Sequence, residues 1–161
     1  MNYVECSEHE CIFGSILIGM TRNKLSDLYL GNRIDFINPI CKRYKIGDII
    51  WCSNDSKRQS VIDCINDDKI DLNIELSLSG TPFQIDVWQA LQTIPKGRTT
   101  TYKEIAAQIG KPNAVRAIGT ACKMNPIAIF IPCHRVIGSN GKIGQYRWGT
   151  DIKKKLLERE N

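Results

Sequence analysis

The chain has 161 residues, 42% apolar and 24% charged, the composition of a soluble globular protein of one ordinary domain or two small ones. No apolar run approaches the roughly 20 residues needed to cross a bilayer, and Met1-Asn2-Tyr3-Val4-Glu5-Cys6 lacks the basic and apolar regions of a signal peptide, so no membrane partner and a cytoplasmic location are expected. The net charge of +5 is unevenly spread: residues 1–80 hold 9 Lys+Arg against 12 Asp+Glu, residues 81–161 hold 13 against 5, and a basic half points to a polyanion, nucleic acid above all.

Seven cysteines without a secretory signal argue against a disulfide framework. Cys6-x-x-His9-x-Cys11 has donor atoms for zinc, with Cys41, Cys52 or Cys64 to complete a set. No C-x-x-C pair exists and the chain has two histidines, so no metal is expected. Gly14–Met20 and Leu25–Leu30 read as strands joined by the polar turn Thr21-Arg22-Asn23-Lys24, with Gly31-Asn32 as the next turn. Ile46–Trp51 fits either a strand or the start of a loop. Val61, Ile62 and Ile65 predict a helix over 56–68, and the alternation of Leu72, Ile74, Leu76 and Leu78 predicts a half-buried strand.

Ser79-Gly80-Thr81-Pro82 marks a boundary, giving a scaffold domain over 1–78 and a second domain over 79–161. Thr81, Pro82 and Gln84 form a capping box opening a helix with Phe83, Val87, Trp88 and Leu91 on its inner face. Thr101-Tyr102-Lys103-Glu104 is a second capping box, before a helix that buries Ile105, Ala106 and Ile109 and stops at Gly110. A third helix over 114–123, capped by Asn113, completes a helix-turn-helix. Its face is small (Ala114, Ala117, Gly119, Thr120, Ala121) and offers little to read bases in a major groove. That face suits either tight packing against a core or close approach to a minor groove. Arg116 is its one long cation besides the terminal Lys123, with a flat guanidinium able to replace a base in a stack.

Ile127–Ile131 predicts a short buried strand, stopped by Pro132. Cys133-His134-Arg135 follows at once: a thiol at a rigid strand end, beside a base and a fixed cation. The loop 137–149, with four glycines, Tyr146 and Trp148, suits a pocket wall for a planar ligand. In the last helix, from Thr150, Ile152, Leu156 and Leu157 form an apolar stripe that also contains Glu160. A carboxylate there needs a partner, or marks fraying. His134 is the only histidine in this half, and Cys133 reaches it only if the chain turns or a water bridges them. The result is a Cys133–His134–Glu160 relay, which by itself also fits a cysteine hydrolase.

Ile131-Pro132-Cys133-His134-Arg135-Val136 resembles the I-P-C-H-R-V signature of O6-alkylguanine-DNA alkyltransferases. Gly80–Gln84 with Val87-Trp88, Thr101–Ala106, Ala117-Ile118-Gly119, Asn125-Pro126 and Gly144-Gln145-Tyr146 resemble further family blocks in order. The resemblance covers roughly Ser79 to Glu160; the first half is similar only in size and strands. It implies a mixed α/β (α+β) chain with a small ribonuclease H-like N-terminal sheet and a mostly helical C-terminal domain. It also implies single-use transfer of an alkyl group from O6 of a flipped guanine, with O4 of thymine a second candidate, to Cys133, by a monomer on double-stranded DNA with no cofactor.

By the same resemblance Tyr102 protonates guanine N3 and Arg116 fills the stack. Asn125 orders the relay, and His134 and Glu160 activate the thiol through a water. Tyr146 packs on the base, the carbonyls of Cys133 and Val136 accept its amine, and the backbone N–H of Arg147 meets O6. Ala117 and Lys123 join them as DNA contacts. Trp148 stands where some members carry glycine and is expected to narrow the pocket. A lesion-binding relative without the cysteine is the rival reading, opposed by Cys133; a transcriptional regulator is another, opposed by the scarcity of base-reading side chains.

Overall fold

Val4 and Cys6 are fully buried in the first strand, β1 (Val4–Cys11), although Glu5, Glu8 and Glu10 interrupt its apolar pattern. In the computed structural model, which describes residues 3–31, 33–69 and 73–161, β1 is a central strand. It pairs antiparallel with β2 (Gly14–Thr21) and parallel with β4 (Ile49–Trp51), while β2 pairs antiparallel with β3 (Lys24–Leu30). The sheet order is β3-β2-β1-β4. Arg22 and Asn23 both take left-handed angles, φ 49° and 66°, the two-residue turn whose twist matches the strands it joins.

Two helices accompany this sheet. α1 (Arg33–Arg43) carries Pro39 in its interior and buries Phe36 and Ile40, four residues apart on one face. α2 (Ser56–Asp67) is capped by Asp55, whose carboxylate accepts the Arg58 N–H at 2.9 Å, and buries Val61, Ile62 and Ile65. Neither β1 nor α1 is predicted from the sequence: β1 has too few apolar residues and α1 contains a helix breaker. The expected strand at 72–78 reduces to one bridge, Leu25 to Leu76; Leu72 and Asn32 lie outside the described residues.

The chain separates into two units, Met1–Leu78 and Ser79–Asn161. In the second, α3 (Pro82–Gln92) and α4 (Tyr102–Gln108) open on the two capping boxes read from the sequence. A short strand, β5 (Thr100–Thr101), precedes α4. Gly110, at φ 72°, ends α4 in the left-handed turn that glycine favours, and the Lys111 N–H returns to the Ala106 carbonyl at 2.9 Å. α5 (Val115–Lys123) follows with Ala114, not Asn113, at its N-cap and no side-chain capping bond. Trp88 Nε1 ties α3 to α5 through the Ala121 carbonyl at 3.0 Å. Phe83 and Ile109 are only half-buried, Phe83 lying under the Lys111 ammonium.

Residues 127–131 correct the sequence reading. Beyond a single bridge position at Ile127 they are turns, not a strand, buried except for the half-buried Ile129, which has φ 69°, and the Phe130 N–H bonds to the Ala128 carbonyl at 2.7 Å. An unbroken apolar run has no period, so it reports burial without reporting conformation. The Asn125 side chain supplies the missing pairing: its Oδ1 accepts the Ile127 N–H and its Nδ2 donates to the Ile131 carbonyl, both at 2.9 Å. A 3-10 turn spans Cys133–Arg135; β6 (Val136–Ile137) then pairs parallel with β5, and α6 (Thr150–Glu160) closes the unit. No described helix is long and apolar enough to cross a membrane.

Candidate active site

The 3-10 turn sends three consecutive side chains to three destinations. Cys133, 4% exposed, meets Asn125, whose Nδ2 donates to Sγ at 3.1 Å. His134, completely buried, places Nε2 2.8 Å from Glu160 Oε1. Arg135 grips the same carboxylate with two donors, Nε to Oε2 at 2.9 Å and Nη2 to Oε1 at 2.8 Å, and its Nη1 donates to the Ile94 carbonyl at 2.6 Å. A strand end, which alternates side chains across two faces, does not do this.

Charges follow from these contacts. Burial would raise the Glu160 carboxyl, but the bonds from His134 and Arg135 outweigh it and hold the group at about 2. Burial lowers His134 more than Glu160 raises it, so the imidazole is neutral near pH 7. An ionised Glu160 requires the proton on Nε2, which leaves Nδ1 as a bare acceptor, buried and without a hydrogen-bond partner among the described residues. Burial also pushes the Cys133 thiol up, opposed by the Asn125 bond and by the charges of Lys153 and Arg147.

Cys133 opens into a cavity of about 570 Å³ lined also by Tyr102, Arg116, Cys122, Lys123, Tyr146 and Arg147. Tyr102 is pushed to about 12 by burial and by the fields of the Cys122 and Cys133 thiols, so it remains a proton donor. The Tyr146 hydroxyl is buried beside the Cys133 thiol, and burial, then that thiol, raise it above its ordinary value. The outward face of α5 carries Arg116, Ala117, Thr120 and Lys123, all exposed.

The family model "6-O-methylguanine DNA methyltransferase, DNA binding domain" matches residues 82–161. Among curated proteins, a methylated-DNA--protein-cysteine methyltransferase of Methanosarcina barkeri is 59% identical over 88 residues, 55% of this chain and 56% of that protein. The bifunctional transcriptional activator/DNA repair enzyme Ada of Escherichia coli is 49% identical over 102 residues, 63% of this chain and 29% of Ada. These alignments span about half or less of the curated relatives. Over almost the whole chain, the crystal structure of Mycobacterium tuberculosis OGT in complex with DNA superposes with a TM-score of 0.83 at 34% identity, covering 98% of this chain and 92% of that one. The chain belongs to the O6-methylguanine-DNA methyltransferase family.

The O6-methylguanine methyltransferase from the hyperthermophilic archaeon Pyrococcus kodakaraensis superposes with a TM-score of 0.73 at 26% identity, covering 98% of this chain and 99% of that one. Within this family member, Cys133, Tyr102, Arg116, Lys123, Tyr146 and Arg147 line the cavity, while Asn125, His134 and Glu160 stand behind it. Ala117 lies outside the lining, on the exposed face of α5. Trp148 is also outside it: it meets Tyr146 edge-on at 5.3 Å between ring centroids, with the Arg147 guanidinium 5.4 Å over its own ring. It therefore buttresses the wall instead of narrowing the space directly.

Val136 has one carbonyl lone pair already occupied, by Lys153 Nζ at 2.6 Å. Lys153, fully buried, is the residue that sequence reasoning missed, and burial lowers its ammonium. The signal was available: at about 100° per residue Lys153 falls near 100° from Ile152, inside the stripe that singled out Glu160. Cys122, a second thiol on the cavity wall, carries no local signal at all. Among the described residues no three His, Cys, Asp or Glu side chains are grouped to hold a metal ion; His9 Nε2 instead contacts Ser7 Oγ at 2.7 Å.

Proposed function

We propose that this chain repairs alkylated DNA by taking the methyl or other small alkyl group from O6 of guanine onto Cys133. The observation that carries the reading is the His134 imidazole: neutral, anchored on Glu160 through Nε2, with Nδ1 buried, unpartnered among the described residues and one residue from a thiol that lines the cavity. A water between Nδ1 and Sγ would pass the thiol proton to the imidazole, and Glu160 would stabilise the cation formed. Asn125 Nδ2 and the Lys153 charge favour the thiolate.

Sγ then attacks the alkyl carbon in line, the C–O6 bond breaks, and its electron pair passes to O6 and into the purine ring. Tyr102 supplies a proton at N3 and recovers one from the relay, so that guanine leaves neutral. The thioether formed has no leaving group, so each molecule reacts once. An O6 group inside duplex DNA is out of reach of a buried thiol, so the base must leave the stack. The cavity is of the size that holds a small planar ligand. The small-residue face of α5 suits a minor groove, and Arg116 would fill the vacated stack. This reading gives double-stranded DNA as the partner, no cofactor, and a cytoplasmic, nucleoid-associated site of action.

The test is incubation with duplex DNA carrying labelled O6-methylguanine. One label per protein at most, lost in Cys133→Ala, is the expected result. Multiple turnovers, or tight binding without transfer, would reject the proposal; the second outcome identifies a lesion-binding protein.

A further inference from the structure

Glu160 lies in the last turn of α6, where no later helical turn holds it. Its carboxylate is held by His134 and Arg135, and its backbone is met from outside by the turn that follows α3. The Arg98 N–H closes that turn on the Pro95 carbonyl at 3.1 Å, and Arg135 Nη1 fastens its start through the Ile94 carbonyl at 2.6 Å. At its tip Gly97 has φ 75°, and a Cβ built there would stand 2.9 Å from the Glu160 carbonyl oxygen. Real Cβ atoms do not approach backbone that closely, so one of the two segments must give way.

Both segments border a cavity of about 460 Å³, lined by Gly97, Thr99, Ile137, Leu157 and Glu160, so there is room for a shift, and the last turn of α6 has no later helical turn behind it. A shift on either side changes how the Glu160 backbone seats. We infer that Gly97 is a positioning residue for the relay: the absence of a side chain there lets the Glu160 backbone seat against the 94–98 turn, which sets the carboxylate on His134 Nε2. This rests on the reading of Cys133 as an alkyl acceptor activated by His134. It adds to that reading a specific dependence on a residue 63 positions before Glu160, which touches neither thiol, imidazole nor base.

The experiment compares Gly97→Ala and Gly97→Asn with Gly14→Ala in the full chain. Gly14 also has a left-handed φ, 98°, but nothing lies within 4 Å of a Cβ there, and it belongs to the β1–β2 hairpin. Single-turnover methyl transfer from labelled duplex is followed across pH, with thermal melting to confirm folding. Both Gly97 variants are expected to slow transfer at least about tenfold, a fraction of what general-base assistance contributes. Their acid limb should move to lower pH, because His134 loses the carboxylate that raises its pKa. Gly14→Ala should stay within about twofold.

Gly97→Asn is the deciding variant: asparagine tolerates the left-handed angle but still carries a Cβ. Restoration by asparagine, or wild-type rates in Gly97→Ala with an unchanged pH profile, would overturn the inference. If the wild-type protein itself transfers nothing, the functional reading falls separately. Carboxymethylation of Cys133 by iodoacetate across pH, read by peptide mass, then decides Gly97: a profile moved in Gly97→Ala supports it, and an identical profile rejects it.

Discussion

His134 Nε2 and Glu160 Oε1 lie 2.8 Å apart, 26 residues from each other in the chain, with Arg135 fixing the same carboxylate through two further bonds. A buried imidazole bonded through one nitrogen to a guanidinium-bound carboxylate has its tautomer decided for it: the proton sits on Nε2 and the lone pair is on Nδ1, away from Glu160.

Glu160→Gln should therefore slow methyl transfer by about a hundredfold or more, the scale of general-base assistance. It should also flatten the acid dependence of stability. The Glu160 carboxyl, held at about 2, contributes stability in full above the ordinary carboxylate pKa and loses it as pH falls towards 2. Urea unfolding at pH 7, 4 and 3 should show wild type losing more stability than Glu160→Gln, by roughly 2 kcal/mol at pH 3 on the linkage scale. Parallel losses in the two proteins would contradict the assignment.

Asn125→Ala removes three bonds at once, to the Ile127 N–H, the Ile131 carbonyl and Cys133 Sγ, all of them buried. The buried polar groups left behind cost about 1–3 kcal/mol each when unpaired. A loss of roughly 2–5 kcal/mol in urea unfolding is expected, with slower transfer in whatever fraction stays folded. A loss below about 1 kcal/mol would mean that the 127–131 turns hold themselves.

Arg116→Ala should separate two substrates. Arg116 is exposed and lines the same cavity as Cys133. Repair of duplex O6-methylguanine should fall about tenfold or more, since extruding a base costs a few kcal/mol that the guanidinium offsets. Reaction with free O6-benzylguanine, which needs no extrusion, should change less than about twofold. Equal losses on both substrates would place Arg116 in the chemistry instead.

Trp148→Ala addresses how the wall is set. The indole meets Tyr146 edge-on from outside the cavity lining, so its removal should free Tyr146 to move and raise the rate with O6-benzylguanine relative to O6-methylguanine. Trp148→Phe keeps an aromatic buttress and should keep the wild-type ratio. A ratio unaltered by Trp148→Ala would remove Trp148 from any part in substrate range.

What the sequence discloses follows the reach of each interaction. The capping boxes at Thr81 and Thr101 are complete within four residues and are legible as written. The Glu160 carboxylate is legible because a helical stripe makes a buried charge conspicuous. β1 is not: its burial comes from β2 and β4 on either side, and its own residues alternate poorly. The turns at 127–131 are hidden because an apolar run has no period, and the bonds that shape them come from the side chain of Asn125. Arg135 reads as a neighbouring cation, while its hold on Ile94 exists only in three dimensions.

The division of labour within Cys133-His134-Arg135 limits how far this site can be moved. Each of the three side chains depends on a partner supplied elsewhere: Asn125 for the thiol, Glu160 for the imidazole, Ile94 for the guanidinium. A peptide spanning 127–136 retains the whole signature and none of those partners except by chance collision. Such a peptide is an ordinary thiol, and a graft of the motif onto another scaffold must bring along Asn125, the 94–98 turn and the end of α6 to be anything more.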